Sequence, residues 1–153
     1  MNLDIKPLQG RVTTEELMEL ALLMIAESRF AKLGVDRDKL FFHASDILSS
    51  DRWIALGAFS GHSLCGMAIG VCGEVLPFTS SKVATEHYLF LEQGYRGGLG
   101  GPSLVHGFVA EAKRRGAKDI VLSNGYGGDP DKVGKLFERC GLVRIGGIYT
   151  LEN

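Results

Sequence analysis

The run Tyr95-Arg96-Gly97-Gly98-Leu99-Gly100-Gly101-Pro102 lies between an apolar stretch, Tyr88 to Leu91, and a helical pattern carrying Leu104, Val105, Phe108, Val109 and Ala112. Four glycines in five residues strip side chains from a backbone that has to pass close to something. A helix opening here contributes unpaired N–H groups and the positive end of its dipole. Pro102 suits the first turn, where its missing N–H is no loss. Strand, glycine loop and helix N-terminus together form a cradle for a pyrophosphate. The same run also serves a tight packing turn with no ligand.

Two familiar phosphate motifs fail. A dinucleotide fingerprint needs G-x-G-x-x-G; Gly98 and Gly100 supply the first pair, but Ser103 stands at the third glycine. A P-loop needs Gly-Lys-Ser/Thr, and the pair Gly134-Lys135 runs into Leu136.

The rest of the chain reads as alternating short elements. Leu3 to Leu8 alternates as a first strand. Thr13 with Glu16 forms a capping box, and Leu17, Leu20, Ala21, Met24 and Ser28 keep helical spacing until Gly34. Asp36 caps a second helix with Leu40, Phe41, Ala44, Ile47 and Leu48. Trp53 to Phe59 and Leu64 to Val71 are apolar strands around the turn Ser60-Gly61-His62-Ser63. A loop spans 74–82, a fourth strand 84–92, and the helix after the glycines ends near Gly116. Ile120 to Ser123 is a fifth strand and 124–128 a glycine-rich link. Asp129-Pro130 opens a last helix through Arg139, which Gly141 terminates. Val143 to Leu151 reads as a final strand or bent pair, with Gly146-Gly147 as the bend.

At 153 residues this is one domain, with 45% hydrophobic and 23% charged residues and a net charge of −1. Nothing global draws it to nucleic acid or an anionic membrane. No apolar run approaches a membrane span and Met1 to Lys6 is no signal peptide, so the expected location is the cytoplasm. Cys65, Cys72 and Cys140 show no metal-ligand spacing and read as reduced, packed thiols; no metal is expected.

The segment Leu89 to Leu104 resembles the acyl-CoA-binding motif of the GNAT superfamily of N-acyltransferases, an Arg-Gly-x-Gly-x-Gly/Ala loop between the fourth strand and the next helix. Without a gap Arg96, Gly97, Gly101 and Leu104 fall on matching positions and Leu99 replaces the middle glycine, whereas a loop one residue shorter matches Gly98 and Gly100. The doubled-glycine form resembles a branch met in bacteriophage and prophage genomes. Ala112 to Leu122 resembles the family's helix end and fifth strand. Leu136-Phe137-Glu138-Arg139-Cys140-Gly141-Leu142 resembles its Leu-Tyr-Glu-Lys-Leu-Gly-Phe signature. The likeness covers 84–151 well, and 3–83 by order of elements. It implies an α/β fold of the α+β type: a mixed, mostly antiparallel central sheet of six to seven strands flanked by about four helices.

The resemblance also implies an N-acetyltransferase that carries an acyl group from acetyl-CoA, or another acyl-CoA, to an amine, and it allows a homodimer. The cofactor would meet backbone groups of Leu89, Leu91 and Gln93 along the fourth strand, then Arg96, Gly97, Gly98, Leu99, Gly100, Gly101 and Ser103. Lys113, Arg114 and Arg115 either attract the 3′-phosphate or complement the helix dipole. Glu86, ten residues before Arg96, is the expected base, near where the family often carries a carboxylate. By period two it shares a face with Tyr88, Phe90 and Glu92, while His87, Leu89 and Leu91 share the other. His87 is the alternative base, or a packed histidine. The family's acidic tyrosine is replaced by Phe137, so Tyr126 or Tyr149 substitutes, or water protonates the thiolate. A catalytically weak protein that binds CoA or a protein partner is the alternative function. The acceptor would be shaped by 14–50 and 74–82.

Overall fold

Local side chains set most helix starts. Thr13 and Glu16 bond reciprocally, the Glu16 N–H donating to Thr13 Oγ1 at 3.1 Å and the Thr13 N–H to Glu16 Oε2 at 2.7 Å, and so open α1 (Thr14–Glu27). Asp36 caps α2 (Arg37–Ser49) and Asp129 caps α4 (Pro130–Arg139). The computed structural model describes residues 2–125 and 127–153. Its remaining elements are β1 (Asp4–Pro7), β2 (Trp53–Ser60), β3 (Ser63–Gly73), β4 (Lys82–Leu91), α3 (Gly100–Arg114) and β5 (Ala117–Val121). Helix α1 stops earlier than the apolar spacing predicts. The Ser28 hydroxyl donates to the Ile25 carbonyl at 2.8 Å, competing with the helix ladder, and a short 3-10 turn, Ala31–Leu33, fills the gap to Gly34.

The sheet runs β1-β2-β3-β4-β5 in that spatial order, antiparallel except for the parallel pair β4–β5. Strand alternation divides the core. On one face Trp53, Ala55, Met67, Ile69 and Phe90 pack with Leu17, Leu20, Ala44 and Ile47 from α1 and α2. On the other, Ile54, Ala58, Ala68, Ala84 and Leu91 pack with Leu104, Phe108 and Ala112 of α3. The leucine, isoleucine, methionine and phenylalanine side chains among these contribute about 1.5–3 kcal/mol each by leaving water.

Among the described residues the sheet has five strands, fewer than the six to seven expected. Val143, Ile145, Tyr149 and Leu151 alternate like a strand, yet all are at least 81% exposed. Among the described residues, 143–153 make no backbone ladder bond. A hydrophobic alternation without a partner edge is not a strand. The segment is instead tied by side chains, Arg29 to the Thr150 hydroxyl at 3.1 Å and Lys32 to Glu152.

Strand β4 carries a bulge that period-two counting misses. Ile69 pairs with Tyr88 but the next β3 residue, Gly70, pairs with Glu86, so His87 is the extra residue. Ala84 faces the α3 core and Tyr88 the α1–α2 core. His87 stacks edge-on against Trp53, 5.6 Å between ring centres, so it sides with Tyr88. The single shared face expected for Glu86, Tyr88, Phe90 and Glu92 is therefore broken at the bulge.

Gly70 makes the bulge possible. A Cβ there would lie 2.8 Å from Phe108 Cζ and 2.9 Å from the Glu86 Cα, and would overlap the Thr85 carbonyl. Gly70→Val is expected to destabilise the protein by about 3 kcal/mol, a drop of roughly 6–12 °C in Tm. An unchanged melting curve would mean that β4 yields freely at this point.

Candidate functional site

Strands β4 and β5 pair only from Lys82↔Ala117 to Thr85↔Val121 and then separate. Beyond Thr85, β4 keeps its β3 neighbour, and among the described residues no strand pairs with its other edge. The Glu92 N–H bonds the Cys65 carbonyl on the β3 side at 2.8 Å. Backbone groups alternate along a strand, so those of Leu89 and Leu91 point to the open edge. The Leu91 carbonyl accepts from Arg96 Nε at 2.7 Å. Arg96 also reaches Glu27 Oε2 at 2.6 Å, tying the glycine loop to α1.

A cavity of about 830 Å³ occupies this opening. The residues around it come from α1 and α2 (Ala21, Met24, Leu40, His43), from β4 (Glu86 to Leu91), and from the glycine loop and α4.

Of the residues expected to hold a cofactor, Leu89, Leu91, Arg96, Gly97, Gly98 and Gly101 line the cavity. Gln93, Leu99, Gly100 and Ser103 do not. Gln93 has left the strand for a 3-10 turn, Gln93–Tyr95, and its carbonyl accepts the Arg96 N–H at 3.3 Å. Leu99 is the N-cap of α3 and its side chain is 68% exposed. Its carbonyl takes the Ser103 N–H at 2.9 Å, the first bond of the helix, so that amide is already used. Gly100 is glycine for packing: a Cβ there would meet Leu3 Cδ1 at 2.7 Å and Leu91 Cδ2 at 3.0 Å. Gly97 and Gly98 have nothing within 4 Å of a built Cβ, and Gly97 has φ +88. Among the described residues no backbone acceptor meets the N–H of Gly98, Leu99, Gly100 or Gly101. Open space, free amides and the N-terminus of a 15-residue helix fit an anionic group.

Of the two readings for Lys113, Arg114 and Arg115, their position favours complementing the helix dipole. Lys113, Arg114 and Arg115 sit at the far end of α3, about 20 Å along the helix from the loop. Arg114 and Arg115 both bind Glu111, and Arg115 also donates to the Asp51 and Trp53 carbonyls. The cavity takes Lys132, Lys135 and Arg139 from α4 instead. Their spacing of three and four residues was the available signal, since it puts all three on one helix face.

Glu86 is 4% exposed and is the buried charged residue among those described. One carboxylate oxygen accepts the Ser123 N–H at 3.1 Å, just past the end of β5. Burial pushes the carboxyl up to about 7, against the pull of that N–H. A carboxyl that titrates near neutrality in a cavity is suited to accept a proton.

A second polar group lies on the α2 side. His43 Nε2 and the Tyr88 hydroxyl are 2.8 Å apart, with the His43 ring edge-on to Trp53. Burial lowers the pKa of both His43 and His87, keeping the rings neutral near pH 7. No sequence motif singles out His43, because its neighbour on β4 is 45 residues away. Phe137 is 8% exposed and buried. Tyr149 is 95% exposed and outside the cavity lining, and Tyr126 lies outside the described residues. No group of three or more His, Cys, Asp or Glu side chains fit to hold a metal occurs among the described residues. No described helix is long and apolar enough to cross a membrane.

No protein-family model matches the chain, and no curated protein matches it in sequence. Solved structures do match its fold. A transcriptional regulator from Bacillus halodurans C-125 superposes with a TM-score of 0.77 at 18% identity, covering 99% of this chain and 100% of that one. Ribosomal-protein-alanine N-acetyltransferase from Brucella melitensis biovar Abortus 2308 gives 0.70 at 20% identity, over 99% and 100%. AAC(6')-Iy, in complex with the bisubstrate analog CoA-S-monomethyl-acetylneamine, gives 0.77 at 15% identity, over 100% and 99%.

Proposed function

We propose that this chain, whose fold is that of the GNAT N-acetyltransferases, transfers an acetyl or other acyl group from an acyl-CoA to a primary amine. At these identities the likeness carries the fold alone, so the function rests on the site. The observation that carries it is the open edge of β4, with the unpaired amides of the glycine loop at one end and a buried carboxyl at the other.

The amides of Gly98 to Gly101 would hold the pyrophosphate, with the helix dipole adding about 0.3–2 kcal/mol. Leu89 would offer its free backbone groups to the pantetheine arm in the manner of an added strand. Lys132, Lys135 and Arg139 supply positive charge on the α4 side. When bound, an acyl-CoA supplies a thioester carbonyl open to attack by an amine. An ammonium must first lose a proton, and Glu86 is the group placed to take it. Phe137 has no proton to give and Tyr149 is exposed outside the cavity lining, so Tyr126 or water would protonate a departing thiolate.

Isothermal calorimetry with acetyl-CoA, against CoA, NAD and ATP, tests the cofactor; selective binding of acetyl-CoA and CoA near micromolar Kd is the expected result. A thiol-release assay with amines then tests turnover. Selective binding with no turnover of any amine would favour the second reading, a CoA-binding protein without catalysis, to which Phe137 already lends support. No binding would reduce the glycine loop to a packing turn.

A further inference from the structure

Charge is distributed unevenly over the cavity. Its described lining contains three carboxylates, Glu27, Glu86 and Asp129. Glu27 is already held by Arg96 at 2.6 Å, and Asp129 accepts the Asp131 and Lys132 N–H groups at 3.0 and 3.5 Å as the cap of α4. Glu86 alone is uncommitted to a cation or a cap. The charged cations of the lining, Arg96, Lys132, Lys135 and Arg139, belong to the glycine loop and α4.

The opposite wall is apolar. Ala21 and Met24 of α1, Leu40 and Ile47 of α2, and Ile69 and Phe90 of the sheet face the cavity there. The polar atoms on that side are largely engaged, since His43 and Tyr88 bond each other. Both histidines lose charge through burial.

We infer that the acceptor is a monoamine with an apolar or aromatic body, seated between α1, α2 and β4 with its nitrogen toward Glu86, and that polycations are excluded. This rests on the transferase reading. An apolar body gains by leaving water against that wall, and its one nitrogen meets the one free carboxyl. A second or third ammonium would be stripped of water with no carboxylate to pair with, or would meet the cations of the loop and α4.

The test compares 2-phenylethylamine with spermidine and kanamycin, by calorimetry on the CoA-loaded protein and by acetyl transfer. Binding and turnover of 2-phenylethylamine are expected, with a kcat/KM on the order of 100-fold above either polycation. Met24 lines the cavity and is half-buried, so Met24→Glu should weaken 2-phenylethylamine binding about 10-fold and improve spermidine; a melting curve checks that it folds. Should it fail to fold, the wild-type comparison still decides. Spermidine or kanamycin equal to or better than 2-phenylethylamine would overturn the acceptor inference and leave the transferase reading intact. So would a protein that binds acetyl-CoA and does not bind 2-phenylethylamine. Absence of acetyl-CoA binding would overturn the transferase reading itself.

Discussion

Glu86→Gln is expected to lower kcat at pH 7 by about 100-fold or more and, at the same time, to make the protein more stable above pH 7. The two effects have one cause. The carboxyl is buried and keeps its proton to about pH 7 in the fold, whereas its ordinary value is 4.5. Between those values the native state binds more protons than the unfolded chain, so stability falls as pH rises through the window. The total loss is about 3 kcal/mol by linkage. Glutamine carries no charge at any pH and keeps an oxygen for the Ser123 N–H. The variant should therefore match the parent near pH 4 and exceed its Tm at pH 8 by roughly 5–10 °C. In the parent, kcat/KM should climb with pH to a plateau above about 7, and that limb should vanish in the variant. Acyl-CoA affinity should stay within about 3-fold, because Glu86 is not part of the cradle. Equal loss of turnover and stability at every pH would make Glu86 a structural residue.

The other large effect belongs to Gly98→Glu, which should cut acyl-CoA affinity by about 100-fold or more with little change in Tm. Gly98 lines the cavity, has nothing within 4 Å of a built Cβ and has no positive φ. A side chain therefore fits the fold, but it places bulk and negative charge where the unpaired amides would meet an anion. Gly100 is unsuitable for this purpose, since any side chain there strikes Leu3 and Leu91 and disturbs the core. Calorimetry with acetyl-CoA reads the first effect and a melting curve the second. Undiminished affinity in a folded Gly98→Glu protein would move the cofactor away from this loop.

The helix caps at Thr13, Asp36 and Asp129 were legible because each bond spans two or three residues. The strand, glycine loop and helix of 82–114 were legible for a similar reason, glycine freedom and helix-end chemistry being local. Glu86 was singled out by the family resemblance, ten residues before Arg96, and the structure places it on β4, buried, with Arg96 beyond the strand end at Leu91. The alternation of Val143 to Leu151 misled, because periodicity reports a face and not whether an edge exists to pair it. Lys132, Lys135 and Arg139 were passed over because nothing in α4 alone says which of its faces meets the loop.

The sequence by itself determined the order of the elements as far as α4 and the glycine turn that opens α3, set by neighbours a few residues apart. Tertiary structure decided what those parts do. The extra residue His87 exists only against Gly70 of β3, and the opening beside Leu89 exists only because β5 leaves β4 after Thr85. The burial that lifts the Glu86 carboxyl to about 7 requires strands and helices brought from across the whole chain. Solvation depends on everything packed around a group, and a linear pattern carries only the part of it that lies nearby in the chain.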